Sequence, residues 1–118
     1  AGLAIPDFPT SFGQALPPDW SPWVALQFSH TRVGAFIVLL FVTHTAYRFC
    51  FHFPEVKSLF WPAASAGILV WIQCFLGLLI LLTQKDVVPT SLHVLVGAAT
   101  LAAMLVLTLN SYHLLRKA

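Results

Sequence analysis

Residues 58–84, SLFWPAASAGILVWIQCFLGLLILLTQ, decide the fold of this chain, because they contain no Asp, Glu, Lys or Arg. An α-helix rises about 1.5 Å per residue, so about 20 apolar residues cross a hydrocarbon core of roughly 30 Å. The uncharged stretch is long enough to do so. It therefore predicts a membrane-spanning helix.

Two further stretches, residues 33–47 and 87–115, also lack these charged residues. The longer one spans a membrane on its length alone. The shorter one does so if Arg32 lies near a membrane face, where its long side chain reaches water. We predict three spans, at about residues 24–51, 60–83 and 89–115.

The composition of the whole chain agrees with this interpretation. Of its 118 residues, 58% are hydrophobic and only 8% are charged, and the mean hydropathy is +0.84. Soluble domains have about 25% charged residues, so a soluble enzyme and a disordered tail are excluded. A net charge of +2 is too small for a nucleic-acid partner. The predicted fold class is all-α: an integral membrane bundle of three helices in the lipid bilayer, antiparallel because the connections are short.

The residues before the first span differ in kind from the spans. Residues 1–22 hold five of the eight prolines, and neither a helix nor a central strand tolerates that density. Trp20 and Trp23, at the end of this segment, are typical of a membrane interface. We predict an outer Pro-rich loop at residues 1–22 and a transmembrane domain at residues 23–118.

The basic residues predict the orientation in the membrane. Arg48 and Lys57 flank the first connection, and Arg116 and Lys117 follow the last span, whereas Lys85 is alone in the other connection. Basic residues are enriched on the cytoplasmic side of membrane proteins. We therefore expect the first connection and the C-terminus on the cytoplasmic side, and the Pro-rich loop on the outer side.

Two histidines within the spans are the strongest signal for function. His30 lies about two turns inside the outer end of the first span, and His93 about one turn inside the outer end of the third. These spans run in the same direction, so the two side chains are expected at similar depth. Two imidazoles on separate helices are a common way to hold a heme iron from both sides. The alternative is that each histidine hydrogen-bonds a neighbouring helix. Zinc is disfavoured, since we expect no third ligand at that depth.

Other polar residues in the spans are weaker candidates. Gln27 shares the face of His30, so it is expected to orient a ligand or the imidazole, or to form an interhelical hydrogen bond. Arg32 points away from that face, which favours an interfacial role, with pairing to a heme propionate as the alternative. We expect Gln73 to bridge helices. Three further histidines are assigned interfacial or helix–helix roles: His44, His52 and His113.

Three segments resemble the heme A synthase family. The family's outer loop has a G-L-x-x-P-D-W-P-like run, its next helix an E-x-x-H-R segment, and the following two helices Q-x-x-L-G and V-x-x-x-H-x-x-x-G/A patterns. The matching segments here are GLAIPDFPTSFG (2–13), QFSHTRVG (27–34) and WIQCFLGLLILLTQKDVVPTSLHVLVGAATLA (71–102). They follow one another in the family's order and cover most of the chain.

The resemblance implies an eight-helix protein made of two similar four-helix halves, each with a bis-histidine heme site. Such a protein oxidises a ring methyl group of heme O to the formyl group of heme A, for terminal oxidases of the bacterial plasma membrane or mitochondrial inner membrane. His30 and His93 match the paired axial histidines, which makes heme the implied cofactor. The chain matches one half without its first helix, so further transmembrane helices, from another chain or a missing segment, are expected partners.

The chain departs from the family pattern at three positions. Gln27 stands where the first half of the family carries a carboxylate, Arg32 follows Thr31 instead of the histidine itself, and the outer loop has no cysteine. An amide neither takes up nor releases a proton as an acid or base near neutral pH, so Gln27 argues against catalysis by this chain alone. We therefore carry two alternatives beside a heme A synthase-like protein. One is a heme b-carrying electron-transfer or anchor subunit of a respiratory complex, and the other is a structural subunit that binds no heme.

Overall fold

The computed structural model describes residues 3–118, and three long helices make up most of it. All three are long and apolar enough to cross a membrane, which confirms the predicted all-α fold with three spans. The predicted ends agree with the observed ends to within a few residues. The first span is Pro22–His52, the second Lys57–Leu82 and the third Val87–Lys117.

The first span is not a uniform α-helix. It consists of an α-helix at Pro22–Phe28, a π-helical segment at Ser29–Gly34 and a second α-helix at Ala35–His52. A π-helical turn holds one residue more than an α-helical turn, and it occurs frequently at functional sites. The segment contains His30, so it affects the direction of one of the two candidate ligands.

Polar side chains cap the starts of the first and third spans. Ser21 accepts a hydrogen bond from the backbone N–H of Val24 at 3.2 Å, and Pro22 follows it at the first helical position. Asp86 accepts one from the N–H of Val88 at 3.0 Å. Each cap satisfies a backbone donor that has no partner within its own helix, which explains why the helices begin at these residues.

The first and second spans are antiparallel and come very close together. Ala46 contacts Gly67, and the thiol of Cys50 lies 3.9 Å from the carbonyl oxygen of Phe60. From the first contact to the second, residue numbers rise on the first span and fall on the second, so the two helices are antiparallel. A Cβ atom added to Gly67 would lie only 2.9 Å from the Cβ of Ala46. A glycine is therefore needed where these two helices cross.

The second and third spans are also antiparallel, and a hydrogen bond joins them beside a proline. Pro62 has no N–H, so the carbonyl of Ser58, four residues earlier, lacks its helical donor. The side-chain amide of Asn110 donates to this carbonyl at 2.7 Å. Asn110 thus satisfies the backbone group that the proline leaves free.

The second span lies between the other two, and the buried core is small. Two buried clusters connect the spans: Val42 with Ala66 and Val70, and Leu59 with Ala63 and Leu107. Most large apolar side chains are exposed. Exposed apolar side chains around a bundle of this kind suit contact with lipid or with further helices.

The N-terminal loop folds around the carboxylate of Asp7. Its two oxygens accept hydrogen bonds from the backbone N–H groups of Phe12 at 2.6 Å and Gly13 at 2.9 Å, and from the hydroxyl of Thr10. These donors, the Thr10 hydroxyl first, stabilise the ionised form and lower the pKa of Asp7 to about 2. Because Phe12 and Gly13 have positive φ angles of 55° and 76°, they reverse the chain and direct their N–H groups at the carboxylate.

Candidate functional site

The structure brings His30 and His93 together, from the first and the third span. Their ring centroids are 6.3 Å apart and their planes are inclined at 87°. This proximity agrees with the similar depth expected from their positions in the sequence. The side chain of His30 is exposed and that of His93 is half-buried, so the site is open on the side of His30.

His93 is held by a single residue of the second span. Its Nδ1 atom lies 3.1 Å from the backbone carbonyl oxygen of Gln73, and its Nε2 atom lies 3.3 Å from the side-chain nitrogen of the same residue. The expected bridging of helices by Gln73 is therefore observed. Its partner, a candidate metal ligand, was not foreseen, because the sequence does not indicate which faces of these helices meet.

Two glycines make room for this contact. A Cβ atom on Gly77 would lie 3.2 Å from Cε1 of His93, and one on Gly97 would lie 2.8 Å from the side-chain nitrogen of Gln73. Gln73 and Gly77 are four residues apart on one helix, and His93 and Gly97 are four residues apart on the other. Each long polar side chain thus lies against the glycine of the facing helix, which allows a close antiparallel contact at the site.

The π-helical segment at Ser29–Gly34 contains His30, Thr31 and Arg32. A π-helical turn is wider than an α-helical turn, so it accommodates an additional residue without ending the helix. The hydroxyl of Thr31 donates to the carbonyl oxygen of Gln27 at 2.8 Å.

Gln27 is occupied by the N-terminal loop. Its side-chain nitrogen donates to the carbonyl oxygen of Ile5, and its side-chain oxygen accepts from the N–H of Ile5, both at 2.9 Å. Only 3% of Gln27 is exposed. The amide therefore attaches the loop to the first span, and the predicted contact of Gln27 with heme stays a prediction.

Arg32 is bound to the same loop. Its Nη2 atom donates to the carbonyl oxygens of Asp7 at 2.6 Å and Thr10 at 2.7 Å, and its guanidinium lies 5.0 Å from the ring centroid of Phe8. These partners are more than 20 positions away along the chain, so no local pattern could identify them. The predicted pairing of Arg32 with a heme propionate also stays a prediction.

The other histidines lie outside this site and are exposed. His52 interacts through Nδ1 with the carbonyl oxygen of Arg48 at 3.0 Å, within its own helix. His44 and His113 face the exterior of the bundle. Across residues 3–118, no group of three or more His, Cys, Asp or Glu side chains lies close enough to hold a metal ion.

His30 and His93 would be the residues that hold a heme iron, each from a different span. Two imidazoles that bind one metal ion have metal–nitrogen bonds of about 2 Å, so their rings must lie within a few ångströms of each other. The observed separation is 6.3 Å. Nitrogen ligands from two helices, with the other positions left to a planar macrocycle, are the donor set of a bis-histidine heme. The residues present therefore suit this cofactor.

Comparisons with known proteins find relatives over most of the chain. Three similar relatives, each named Heme A synthase, come from Bacillus mycoides (strain KBAB4), Bacillus cereus (strain 03BB102) and Bacillus anthracis (strain CDC 684 / NRRL 3495). They are 29%, 28% and 28% identical to this chain over 94 residues, which cover 79% of the chain and 29% of each relative. No solved structure matches significantly.

A sequence profile shows the family directly. The profile described as "Cytochrome oxidase assembly protein" matches residues 1–105, which include the loop, all of the first two spans and most of the third. The match covers both His30 and His93. The chain therefore belongs to the cytochrome oxidase assembly protein family.

Proposed function

We propose that this chain forms a bis-histidine heme site in a heme A synthase-like membrane protein that serves terminal oxidase assembly. The observation that carries the proposal is the separation of 6.3 Å between the rings of His30 and His93, which lie on different spans. The name shared by the relatives, Heme A synthase, supports heme A as the product. Heme O as the substrate is what the resemblance to the family implies. Because the chain spans about 29% of their length, it corresponds to part of such a protein.

Different residues of the chain have different roles at this site. His30 and His93 would hold the iron, and a bound heme would supply either a redox centre or the substrate of the family's oxidation. Gln27 and Arg32 keep the N-terminal loop against the first span, next to His30. Gln27 contributes an amide where a proton-accepting carboxylate is expected, so oxidation by this chain alone is slow or absent.

The bundle requires further transmembrane helices as partners. An apolar groove of about 380 Å³ runs between the first and third spans, lined by Phe41, Thr45, Met104 and Thr108 among others. The site is open at His30 as well. A fourth helix, from another segment or chain, covers the groove. The C-terminus lies on the cytoplasmic or matrix side, as Arg116 and Lys117 favour.

A pyridine hemochrome spectrum of the purified, membrane-extracted protein tests this function. Heme O or heme A in the spectrum supports a heme A synthase-like protein. Heme B alone favours an electron-transfer or anchor subunit, and the complete lack of heme, before and after addition of hemin, contradicts the heme site. Incubation with heme O is expected to yield little heme A, and robust formation of heme A would contradict the argument from Gln27.

A further inference from the structure

Gln73 contacts both nitrogens of the His93 ring, and the chemistry of these contacts determines where the ring proton lies. The backbone carbonyl of Gln73 can only accept a hydrogen bond, so Nδ1 of His93, at 3.1 Å, must donate. In a neutral imidazole the other nitrogen then carries a free lone pair. Nε2 of His93 is thus the atom that can bind a metal ion, and the carbonyl of Gln73 orients it, as a second ligand shell does in metal sites.

The side-chain amide of Gln73 is hydrogen-bonded to the free lone pair on Nε2 of His93. Its amide nitrogen lies 3.3 Å from Nε2 of His93 and donates to it. The same atom would clash with a Cβ on Gly97, at 2.8 Å, so the amide lies in a space that only a glycine leaves open. Iron cannot bind Nε2 while the amide is there, because both use the same lone pair.

The side-chain amide of Gln73 forms fewer hydrogen bonds than is usual for a polar group with buried atoms. Its oxygen is buried and has no hydrogen-bond partner within the part of the chain that the structure describes. A buried carbonyl without a donor is unusual and unfavourable. The side-chain amide of Gln73 therefore has one hydrogen bond, which its nitrogen donates to His93. This is the only hydrogen bond that is lost when the side chain rotates away from the ring.

We propose that Gln73 is a positioning residue for His93: its backbone carbonyl selects the ring tautomer, and in the heme-free protein its side-chain amide is hydrogen-bonded to Nε2, the nitrogen that would bind iron. This inference rests on the proposed heme site. It separates two roles of one residue, and only the side-chain role can be removed by substitution. The backbone role is retained in every variant at position 73.

The two roles predict that the substitution Gln73→Leu strengthens the binding of heme. Leucine lacks the amide but leaves the backbone carbonyl, so His93 keeps its tautomer and Nε2 has no competitor. Removal of one neutral hydrogen bond that competes with the iron should raise the affinity for heme about two- to tenfold. A residue with a merely structural role would instead weaken binding when it is replaced.

The test measures binding of hemin to the full chain in lipid nanodiscs, by absorbance titration and stopped flow. Asn110→Leu is the matched control, since Asn110 also joins the second and third spans through a polar side chain but lies at the other end of the bundle. We expect Gln73→Leu to bind hemin faster and more tightly than the wild type. Asn110→Leu should reduce thermal stability and leave the hemin association rate unchanged.

The outcomes distinguish this inference from the proposed function. If the wild type binds hemin but Gln73→Leu binds it at the same rate, or less tightly than the wild type, the proposed competition of the Gln73 amide for Nε2 is wrong. The proposed heme site is unaffected by that result. If no variant binds hemin, the heme site itself is wrong. Nitrogen-15 NMR of the histidines without hemin tests the tautomer independently. A proton on Nδ1 of His93 in both the wild type and Gln73→Leu is expected, and a proton on Nε2 overturns the inference.

Discussion

The side chain of Gln27 forms two hydrogen bonds with the backbone of Ile5, one to its N–H and one to its carbonyl oxygen, both at 2.9 Å. Ile5 is fully buried and Gln27 is 3% exposed. Because Ile5 belongs to the loop and Gln27 to the first span, this pair fixes the loop at the N-terminal end of the first span. An amide is suited to the position because it can donate and accept at the same time.

The substitution Gln27→Glu should therefore detach the loop. A carboxylate still accepts from the N–H of Ile5, but it cannot donate to the carbonyl oxygen, which is left buried and unpaired. We expect a loss of about 1–3 kcal/mol in the free energy of loop docking. Hydrogen exchange of the Ile5 amide measures it. Gln14→Glu, the same change at an exposed loop residue, is the control. Equal protection of the Ile5 amide in both variants would contradict the role of Gln27.

His30→Ala and His93→Ala test the ligands of the iron. Loss of either imidazole leaves an axial position to water or to another group, so the optical spectrum of the hemin complex should change from low spin to high spin, or the heme should be lost. His44→Ala and His113→Ala are the controls, because both side chains face the exterior. Low-spin spectra in both His30→Ala and His93→Ala would exclude the pair as ligands.

Asn110→Leu tests the contact beside Pro62. Without the amide, the carbonyl of Ser58 has neither a helical donor nor a side-chain donor, and we expect the bundle to lose about 1 kcal/mol. Thermal unfolding in detergent measures the change. Restoration of the helical donor in Pro62→Ala should suppress the effect of Asn110→Leu, since Ser58 then has a partner again. Additive effects of the two substitutions would contradict this explanation.

The loop should respond to acid through Asp7. Its pKa is lowered from 3.8 to about 2, chiefly by the hydroxyl of Thr10, so the folded loop favours the carboxylate. The stabilisation is present above the unfolded pKa of 3.8 and is lost as the pH falls towards 2. The amide proton shifts of Phe12 and Gly13 should follow this change with a midpoint near 2. Asp7→Asn should abolish it, and a midpoint near 4 would contradict the stabilisation.

Cysteine labelling tests the orientation. In a chain with Cys50 and Cys74 replaced by alanine, Glu55→Cys in the first connection should react with an impermeant reagent only from the cytoplasmic side. Gln84→Cys in the second connection should react only from the outer side, since its connection carries Lys85 alone among the basic residues. Labelling of position 84 from the cytoplasmic side would reverse the orientation of the chain.

The sequence by itself determined the three spans and the depth of the two histidines. Both follow from local quantities: uncharged stretches long enough to cross a hydrocarbon core, and the rise per residue of a helix. Residues 58–84 and 87–115 could hardly be stable outside a membrane, whatever their neighbours. The positions of His30 and His93 along two spans that run in the same direction then give similar depths without any knowledge of packing.

Only the tertiary structure decided which side chains meet. The π-helical turn at Ser29–Gly34 departs from regular α-helical geometry at His30 and Arg32, which the apolar pattern of the span does not indicate. Gln27 binds Ile5, and Arg32 binds Asp7 and Thr10, because the loop folds back across more than 20 residues. The contact of Gln73 with His93 depends on how two helices are rotated about their axes, which the packing at Gly77 and Gly97 sets and no local pattern encodes.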